Sequence, residues 1–237
     1  MHDFTWFELI SGGKINHHNV HIFSAGLVTL LLILGTLLIH QKLKKTEERL
    51  VPESKTTLVN VFEVAVENIL GLIEGIVGPD APKYLPLIGS LFIYIFLCNV
   101  LALIPGFVPP TDNINTNLAC ALTVFVYYNV MGIRTHGLVG YAKHFMGPIV
   151  WLGPLMLVIE LIGHLVRPVS LSLRLFGNIT GDHLVLGIFS NLVPIGIPVI
   201  FLALGLFISF IQAFVFSLLS TIYIGLATAH EHEGEHH

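Results

Sequence analysis

Long apolar segments alternate with short polar ones along almost the whole chain. A helix crosses the ~30 Å hydrocarbon core of a bilayer with about 20 residues. On that basis the pattern predicts an all-α integral membrane protein, a single polytopic domain with five membrane helices. The predicted membrane helices are residues 22–39, 85–104, 118–133, 146–190 and 195–229. The last two exceed the length needed, so we expect them to be strongly tilted or to protrude.

Residues 54–77 have a different pattern. Polar or small residues recur every three or four positions opposite an apolar face, namely Asn60, Glu63, Glu67, Gly71 and Glu74. Such a helix lies more plausibly along the membrane surface than across the membrane. The sequence therefore predicts one amphipathic surface helix beside the five membrane helices.

The distribution of basic residues predicts the orientation in the membrane. Of the 11 Lys and Arg residues, eight fall in segments on one side: Lys42, Lys44, Lys45, Arg49, Lys55, Lys83, Arg134 and Lys143. Lys14 alone falls on the other side, and Arg167 and Arg174 lie within a predicted membrane helix. Because cytoplasmic loops are enriched in Lys and Arg, we expect residues 1–21 to be external and residues 230–237 to be a cytoplasmic tail.

Composition supports the membrane assignment and limits the kinds of functional site that the sequence predicts. The chain is 54% hydrophobic and only 11% charged, whereas soluble domains carry about 25% charged residues. Cys98 and Cys120 lie in apolar runs, which favours small hydrophobic side chains over a disulfide or metal pair. The His-rich tail is interpreted as a solvated, weakly chelating segment. No phosphate loop, nucleophile elbow or HExxH motif occurs, so we expect no catalytic site of its own, no cofactor, no metal and no nucleic-acid partner.

A stripe of polar residues runs through the fourth predicted membrane helix. Its members are Glu160, His164, Arg167, Arg174, Asn178 and Asp182. At ~100° per residue they share a face about 80° wide, and from first to last they extend about 33 Å. A charged stripe of that length cannot face lipid, and ionisable residues inside a membrane are functional by default. A polar clamp between two helices is the alternative, but two arginines with two nearby carboxylates favour an ion path.

Two further residues belong beside this stripe. His183 falls off the stripe and should face a different neighbour, while Gln212 is an amide in the middle of the last membrane helix. An amide at that depth needs a partner, and the polar segment opposite is the obvious one. Asp112 lies in an external turn, PPTDNINTN, at the mouth of the next helix.

Several of these segments resemble a known family. RPVSLSLRLFGNITGDH, followed by FIQAFVFSLLSTIYIGLA, is similar to subunit a of the rotary F-type ATP synthases, the stator half of a proton channel. The region GLIEGIVGPDAPKYLPLIGSLFIYIFLCN and the PPTDNINTN turn fit the same family. The resemblance covers nearly the whole chain.

The resemblance implies roles for particular residues. Arg174 would be the fixed cation that faces the passing carboxylates of a c-subunit ring, Asn178 and Gln212 the channel-lining amides, and Glu160 the carboxylate on the cytoplasmic side. It also implies a peripheral stalk of b subunits, a soluble catalytic head and a bacterial inner membrane as surroundings. Some members carry Glu where His183 stands and His where Gly205 stands, so the outer relay is assigned to Asp182 and His183, with Asp112 at its mouth.

The predicted function is thus a stator that passes protons to and from a rotor. Protons would enter past Asp182, His183, Asn178 and Gln212, and leave past Glu160 and His164. A self-contained secondary transporter with a buried Arg anion site is the alternative, but the internal repeats typical of such transporters are not seen in the sequence. A purely structural anchor does not explain an arginine at mid-membrane, which costs ~2.5–3.5 kcal/mol.

Overall fold

The computed structural model describes residues 20–46, 58–104, 106–144, 153–192 and 197–229. Within these ranges lie six α helices: α1 (Val20–Thr46), α2 (Leu58–Val77), α3 (Ala81–Leu101), α4 (Ile114–His144), α5 (Gly153–Leu192) and α6 (Ile197–Thr228). Two short 3₁₀ turns, Gly78–Asp80 and Pro110–Asp112, precede α3 and α4. Most of the predicted external segment, the turn between the last two helices and the His-rich tail lie outside the described residues.

The length and apolar character of these helices confirm the fold class. Five described stretches are long and apolar enough to cross a membrane, as expected for an all-α integral membrane protein. One of them, residues 60–101, runs through both α2 and α3. A surface position for α2 therefore stays a prediction, as does the strong tilt of α5 and α6. With 40 residues, α5 is about 60 Å long at 1.5 Å per residue, twice the ~30 Å hydrocarbon core.

The end of α4 departs from the hydropathy pattern. The α4 helix continues to His144 rather than ending at residue 133, because polar residues beyond an apolar run do not by themselves stop a helix. The backbone bends at Gly137, where φ is +72°, a value open to glycine. The described part of α5 runs from Gly153 to Leu192. Pro168 lies inside the same continuous helix.

The last helix, α6, is the centre of the packing. It contacts α2, α3, α4 and α5. The main core contains Ile88, Tyr128, Leu175, Phe216 and Ile224, each at most 1% exposed. In a membrane the lipid tails are as apolar as these side chains, so close van der Waals packing is what holds the helices together. That packing places the polar face of α5 against α4 and α6.

The first helix lies at the periphery of the bundle. It contacts α3 and the Pro110–Asp112 turn. Its exposed large side chains are Ile22, Phe23, Leu30, Leu31, Ile33, Leu34, Leu37 and Leu38. An exposed surface of this composition suits the hydrocarbon of a bilayer.

After its bend, α4 packs back onto its own preceding part. Tyr141 donates a hydrogen bond from its hydroxyl to Asn129 Oδ1 at 3.0 Å. Its ring covers Gly132, where an added Cβ would lie 2.5 Å from Tyr141 Cε2 and 3.0 Å from the backbone oxygen of Ala227 in α6. Gly132 is therefore needed for the close approach of α4 and α6.

We expect Gly132→Ala to destabilise the bundle by about 1–3 kcal/mol, the usual cost of overfilling a packed site. The methyl group must displace either the Tyr141 ring or the α6 backbone. Thermal unfolding of the purified protein in detergent measures the effect. Gly26→Ala, where an added Cβ meets nothing within 4 Å, is the matched control and should leave the unfolding temperature unchanged. Equal unfolding temperatures for both variants would contradict this role of Gly132.

The exposed carboxylates of α2 test the predicted orientation. Glu63 and Glu67 are both exposed. Cysteines placed at either position, in a chain whose Cys98 and Cys120 are changed to alanine, should react with membrane-impermeant thiol reagents from the cytoplasmic side alone. The measurement compares labelling of right-side-out and inverted vesicles. Labelling from the external side would reverse the predicted topology.

Candidate ion-path site

The N-terminal half of the polar stripe forms a cluster, here called the Arg167 cluster. Its members are Glu160, His164 and Arg167 of α5, Tyr128, Asn129 and Tyr141 of α4, and Tyr223 of α6. Arg167 donates from Nη2 to Glu160 Oε1 at 3.0 Å. The guanidinium carbon also lies 5.5 Å from the centre of the Tyr223 ring, within the range of a cation–π contact. Seven residues separate Glu160 from Arg167, which is two helical turns along one face.

His164 is buried at the centre of this cluster, at 6% exposed. Its Nε2 lies 2.9 Å from Asn129 Oδ1. Its Nδ1 lies 3.5 Å from Arg167 Nη1 and 3.4 Å from the Tyr128 hydroxyl. The ring thus joins α4 to the ion pair on α5.

Arg174, at the centre of the stripe, has very different surroundings. Its side chain is exposed. No hydrogen bond or ion pair joins its guanidinium to any residue of the described ranges. The neighbouring positions Ser170, Leu173 and Gly177 are also exposed. We expected the whole stripe to face protein or water; within this chain the two ends are wholly or partly covered and the middle is open.

An amide pair joins α5 to α6 one turn beyond Arg174. Asn178 donates from Nδ2 to Gln212 Oε1. Gln212 is 3% exposed, whereas Asn178 is exposed. The mid-helix amide of α6 therefore has its partner on the polar segment of α5.

Beyond this amide pair, a cavity of about 150 Å³ lies between α3, α5 and α6. Its polar lining consists of Asn99, Asp182, Gly205 and Ser209. Asn99 is fully buried, and its Nδ2 has no hydrogen-bond partner in the described chain. The lining is mainly apolar, but a cavity of this size that contains Asn99, Asp182 and Ser209 has room for several waters, since one needs about 10–15 Å³. Water is the natural partner for that amide.

Gly205 leaves space for this cavity, and a larger side chain at this position would require the Leu103 side chain to move. An added Cβ would lie 2.7 Å from Leu103 Cδ2. This is the position at which some members of the resembling family carry histidine. The titratable side chain that lines this cavity comes instead from α5, as Asp182.

The remaining predicted residues lie at the edge of this arrangement. Asp112 is half-buried in the Pro110–Asp112 turn, which contacts α1, α3, α4 and α5, but it does not line the cavity. The same turn is tied to the cavity wall, because Thr111 Oγ1 donates to Asn99 Oδ1 at 3.0 Å. The side chain of His183 lies outside the described part of the structure.

Sequence reasoning did not assign Asn99, Asn129, Tyr128 or Tyr141 to the site. A signal was present for the two asparagines, because each is an isolated amide inside an apolar span and must find a partner there. The tyrosines gave no comparable signal, since a tyrosine in an apolar run is usually explained by packing. Cys98 is buried and Cys120 half-buried, and both are free thiols.

Comparison with known proteins agrees with these features. The model of the family described as "ATP synthase A chain" matches residues 22–225. The chain is 42% identical to "ATP synthase subunit a" of Bdellovibrio bacteriovorus over 229 residues, covering 97% of this chain and 99% of that protein. It is 46% identical to "ATP synthase subunit a 1" of Syntrophotalea carbinolica over 213 residues, covering 90% and 87%.

A third relative gives the same result. The chain is 48% identical to "ATP synthase subunit a" of Trichlorobacter lovleyi over 206 residues, covering 87% of this chain and 85% of that protein. All three relatives are bacterial, and the matches extend over nearly the full length of both partners. With its multi-pass helical membrane architecture, the chain belongs to the ATP synthase A chain family.

Proposed function

We propose that this chain is the stator subunit of an ATP synthase proton channel. In this role it has no catalytic site of its own. It provides two half-channels separated by Arg174 and passes protons to and from the carboxylates of a rotating ring of c subunits. Family membership supports the general role, and the geometry of α5 supports the finer one.

The observation that carries the proposal is Arg174, which is exposed and has no partner among the described residues. Arginine stays charged in proteins, and a charge in the membrane core needs a partner. Within the described chain Arg174 has none. Its counter-charge is therefore expected from another subunit, and a rotor carboxylate meets that need each time it passes.

The exposed surface around Arg174 also fits a protein partner on the same face. The neighbouring positions Ser170 and Gly177 lie within about 60° of Arg174 around the helix, and both are exposed and small. Small residues let another helix approach closely, so a rotor helix can come near the guanidinium.

On each side of Arg174, polar groups supply a path for protons. On the outer side, protons pass Asp112, the cavity with Asp182, then His183, and the Asn178–Gln212 pair, and protonate a rotor carboxylate. After nearly a full turn that carboxylate meets Arg174 and loses its proton, which leaves past Glu160 in the Arg167 cluster. Each charge that crosses the membrane yields about 2.3 kcal/mol per 100 mV, which supplies the torque.

The proposal includes the surroundings of the chain. Its partners are the c-subunit ring, the b subunits of a peripheral stalk and, indirectly, the soluble catalytic head. It lies in the bacterial inner membrane with its N-terminus outside and its C-terminus in the cytoplasm. The excess of Lys and Arg in the predicted cytoplasmic segments supports this orientation.

We expect both Arg174→Lys and Arg174→Ala to assemble and to abolish proton-driven ATP synthesis. Lysine binds as a compact point charge and loses its proton when desolvated, so it does not replace a permanent delocalised cation. The alanine variant should also conduct protons passively, because no charge then separates the half-channels. ATP synthesis in energised vesicles and passive proton flux in head-stripped vesicles measure the two effects.

Arg134→Ala is the matched control, since Arg134 is an exposed arginine of α4 outside the stripe. It should synthesise ATP at close to the wild-type rate. Robust synthesis by Arg174→Lys would contradict the gate and leave a structural clamp as the explanation.

The outer path gives a second expectation. The double variant Asp182→Asn, His183→Ala should assemble normally but take up protons from the outside more slowly, lowering ATP synthesis at least tenfold if general acid–base transfer is lost. The rate is measured with the amount of assembled complex held equal. Asp80→Asn removes an exposed carboxylate that pairs with Lys83 away from the path and serves as control. A wild-type rate in the double variant would show that this relay assignment is wrong.

A further inference from the structure

The hydrogen bonds of His164 determine which of its nitrogens carries the proton. Arg167 is an obligatory donor, and its Nη1 faces His164 Nδ1 at 3.5 Å. Nδ1 must therefore offer its lone pair. The hydrogen of the neutral ring is then on Nε2, which donates to Asn129 Oδ1 at 2.9 Å.

The Asn129 amide agrees with this assignment. Its Nδ2 donates to the backbone oxygen of Phe125 at 2.7 Å, which turns Oδ1 toward His164. The same oxygen also accepts from the Tyr141 hydroxyl. Because Asn129 is held at its nitrogen and at its oxygen, the imidazole is in turn held in one orientation against α4.

A protonated His164 does not fit this arrangement. With hydrogens on both nitrogens, Nδ1 would present an N–H to the N–H of Arg167 and place a second positive charge beside the guanidinium. The groups that face the ring from the packed elements are Tyr128 and Tyr141 of α4, Tyr223 of α6 by way of Arg167, and the Glu160–Arg167 pair of α5. The one carboxylate among them, Glu160, already accepts from Arg167.

We propose, on the basis of the proposed function, that His164 is a positioning residue that keeps Arg167 paired with Glu160, and that its ring stays neutral and does not transfer protons along the path. The imidazole accepts from Nη1, Glu160 accepts from Nη2, and the Tyr223 ring lies beside the guanidinium. Three contacts thus hold a side chain that is otherwise long and flexible.

The two arginines of α5 therefore have different roles. Arg167 and Arg174 lie on the same stripe, seven residues or about 10 Å apart along the helix. A loose Arg167 would compete with Arg174 for passing carboxylates and would leave Glu160 without its partner. With Arg167 held, Arg174 is the stripe arginine that is open to the rotor, and Glu160 keeps a fixed position on the exit path.

Two substitutions of His164 separate this role from simple packing. His164→Asn keeps an acceptor where Nδ1 stands and loses the donor to Asn129, whereas His164→Gln keeps a donor near Nε2 and loses the acceptor for Arg167. ATP synthesis and passive proton flux in head-stripped vesicles are measured per assembled complex.

We expect the Asn variant to stay within about twofold of wild type and the Gln variant to lose about tenfold, the effect typical of one lost charge-assisted hydrogen bond. Gln activity equal to or above Asn activity would overturn the proposal, because the bond to Asn129 would then be what matters.

A double-mutant cycle adds an independent measurement. Arg167→Gln removes the guanidinium without touching the His164–Asn129 bond, and it should lower passive flux about tenfold at unchanged assembly. His164→Gln added to Arg167→Gln should cause no further loss, because the residue it positions is already absent. Unchanged flux in Arg167→Gln, or a combined loss of about a hundredfold as for independent sites, would overturn the proposal.

The control is Phe125→Leu, which changes a ring 4.9 Å from the His164 ring without removing a side-chain hydrogen bond. It should keep wild-type flux, and a loss equal to that of His164→Gln would show that packing alone explains the effect. Arg174→Ala in the same vesicles reports on the proposed function separately. If Arg174→Ala keeps wild-type ATP synthesis and shows no passive flux, the proposed function is wrong, but the ranking of the His164 variants is unaffected. The failure of the proposed function and the failure of the His164 proposal are therefore distinguishable.

Discussion

A charge inside a membrane must be neutralised or hydrated, and this constraint explains most of the architecture. The α5 helix carries a polar stripe through a chain that is otherwise dominated by apolar residues. At one end Arg167 is neutralised by Glu160, and at the other Asp182 lines a cavity large enough for water. Between them Arg174 is exposed without a partner among the described residues. The described part of the chain therefore provides no counter-charge for the arginine at the centre of the stripe.

The neighbouring helices provide a different chemical setting for each section of the stripe. The α4 helix supplies Asn129 and Tyr128, whose fixed hydrogen-bonding groups orient His164. The α6 helix supplies Tyr223 near Arg167 and Gln212 near Asn178. Towards the outer end, Gly205 and Ser209 leave open space instead of a side-chain partner. Along one face of α5, the Glu160–Arg167 ion pair is followed by the exposed Arg174 and then by the cavity with Asp182.

Small residues and backbone bends make these close contacts possible. Gly132 has no side chain where the Tyr141 ring and the α6 backbone meet α4. The bend at Gly137 turns the end of α4 so that Tyr141 reaches back to Asn129. The Arg167 cluster therefore depends on two glycines that have no side-chain polar group of their own.

The sequence by itself determined the helical membrane architecture and the stripe on α5, because both follow from local rules. An apolar run of about 20 residues has to be a helix in lipid, since its backbone polar groups must be satisfied internally. The spacing of Glu160, Arg174 and Asp182 places them on one face of any regular helix. It also leaves Arg174 far from both carboxylates along the axis. The ends of α4 were less well predicted, because hydropathy locates the apolar run and not the last helical hydrogen bond.

Only the tertiary structure decided which partner each polar residue has. Nothing in the local pattern chooses Asn129 for His164 or brings Asn99 to the cavity with Asp182, since these pairs join residues distant in the chain. They depend on which helix faces meet, and that is set by the packing of α6 against four other helices. The physical reason is that local helix geometry and contacts between helices act over different distances along the chain. Helix periodicity acts over a few residues, whereas a buried hydrogen bond between helices exists only after the whole bundle has fixed their distance and rotation.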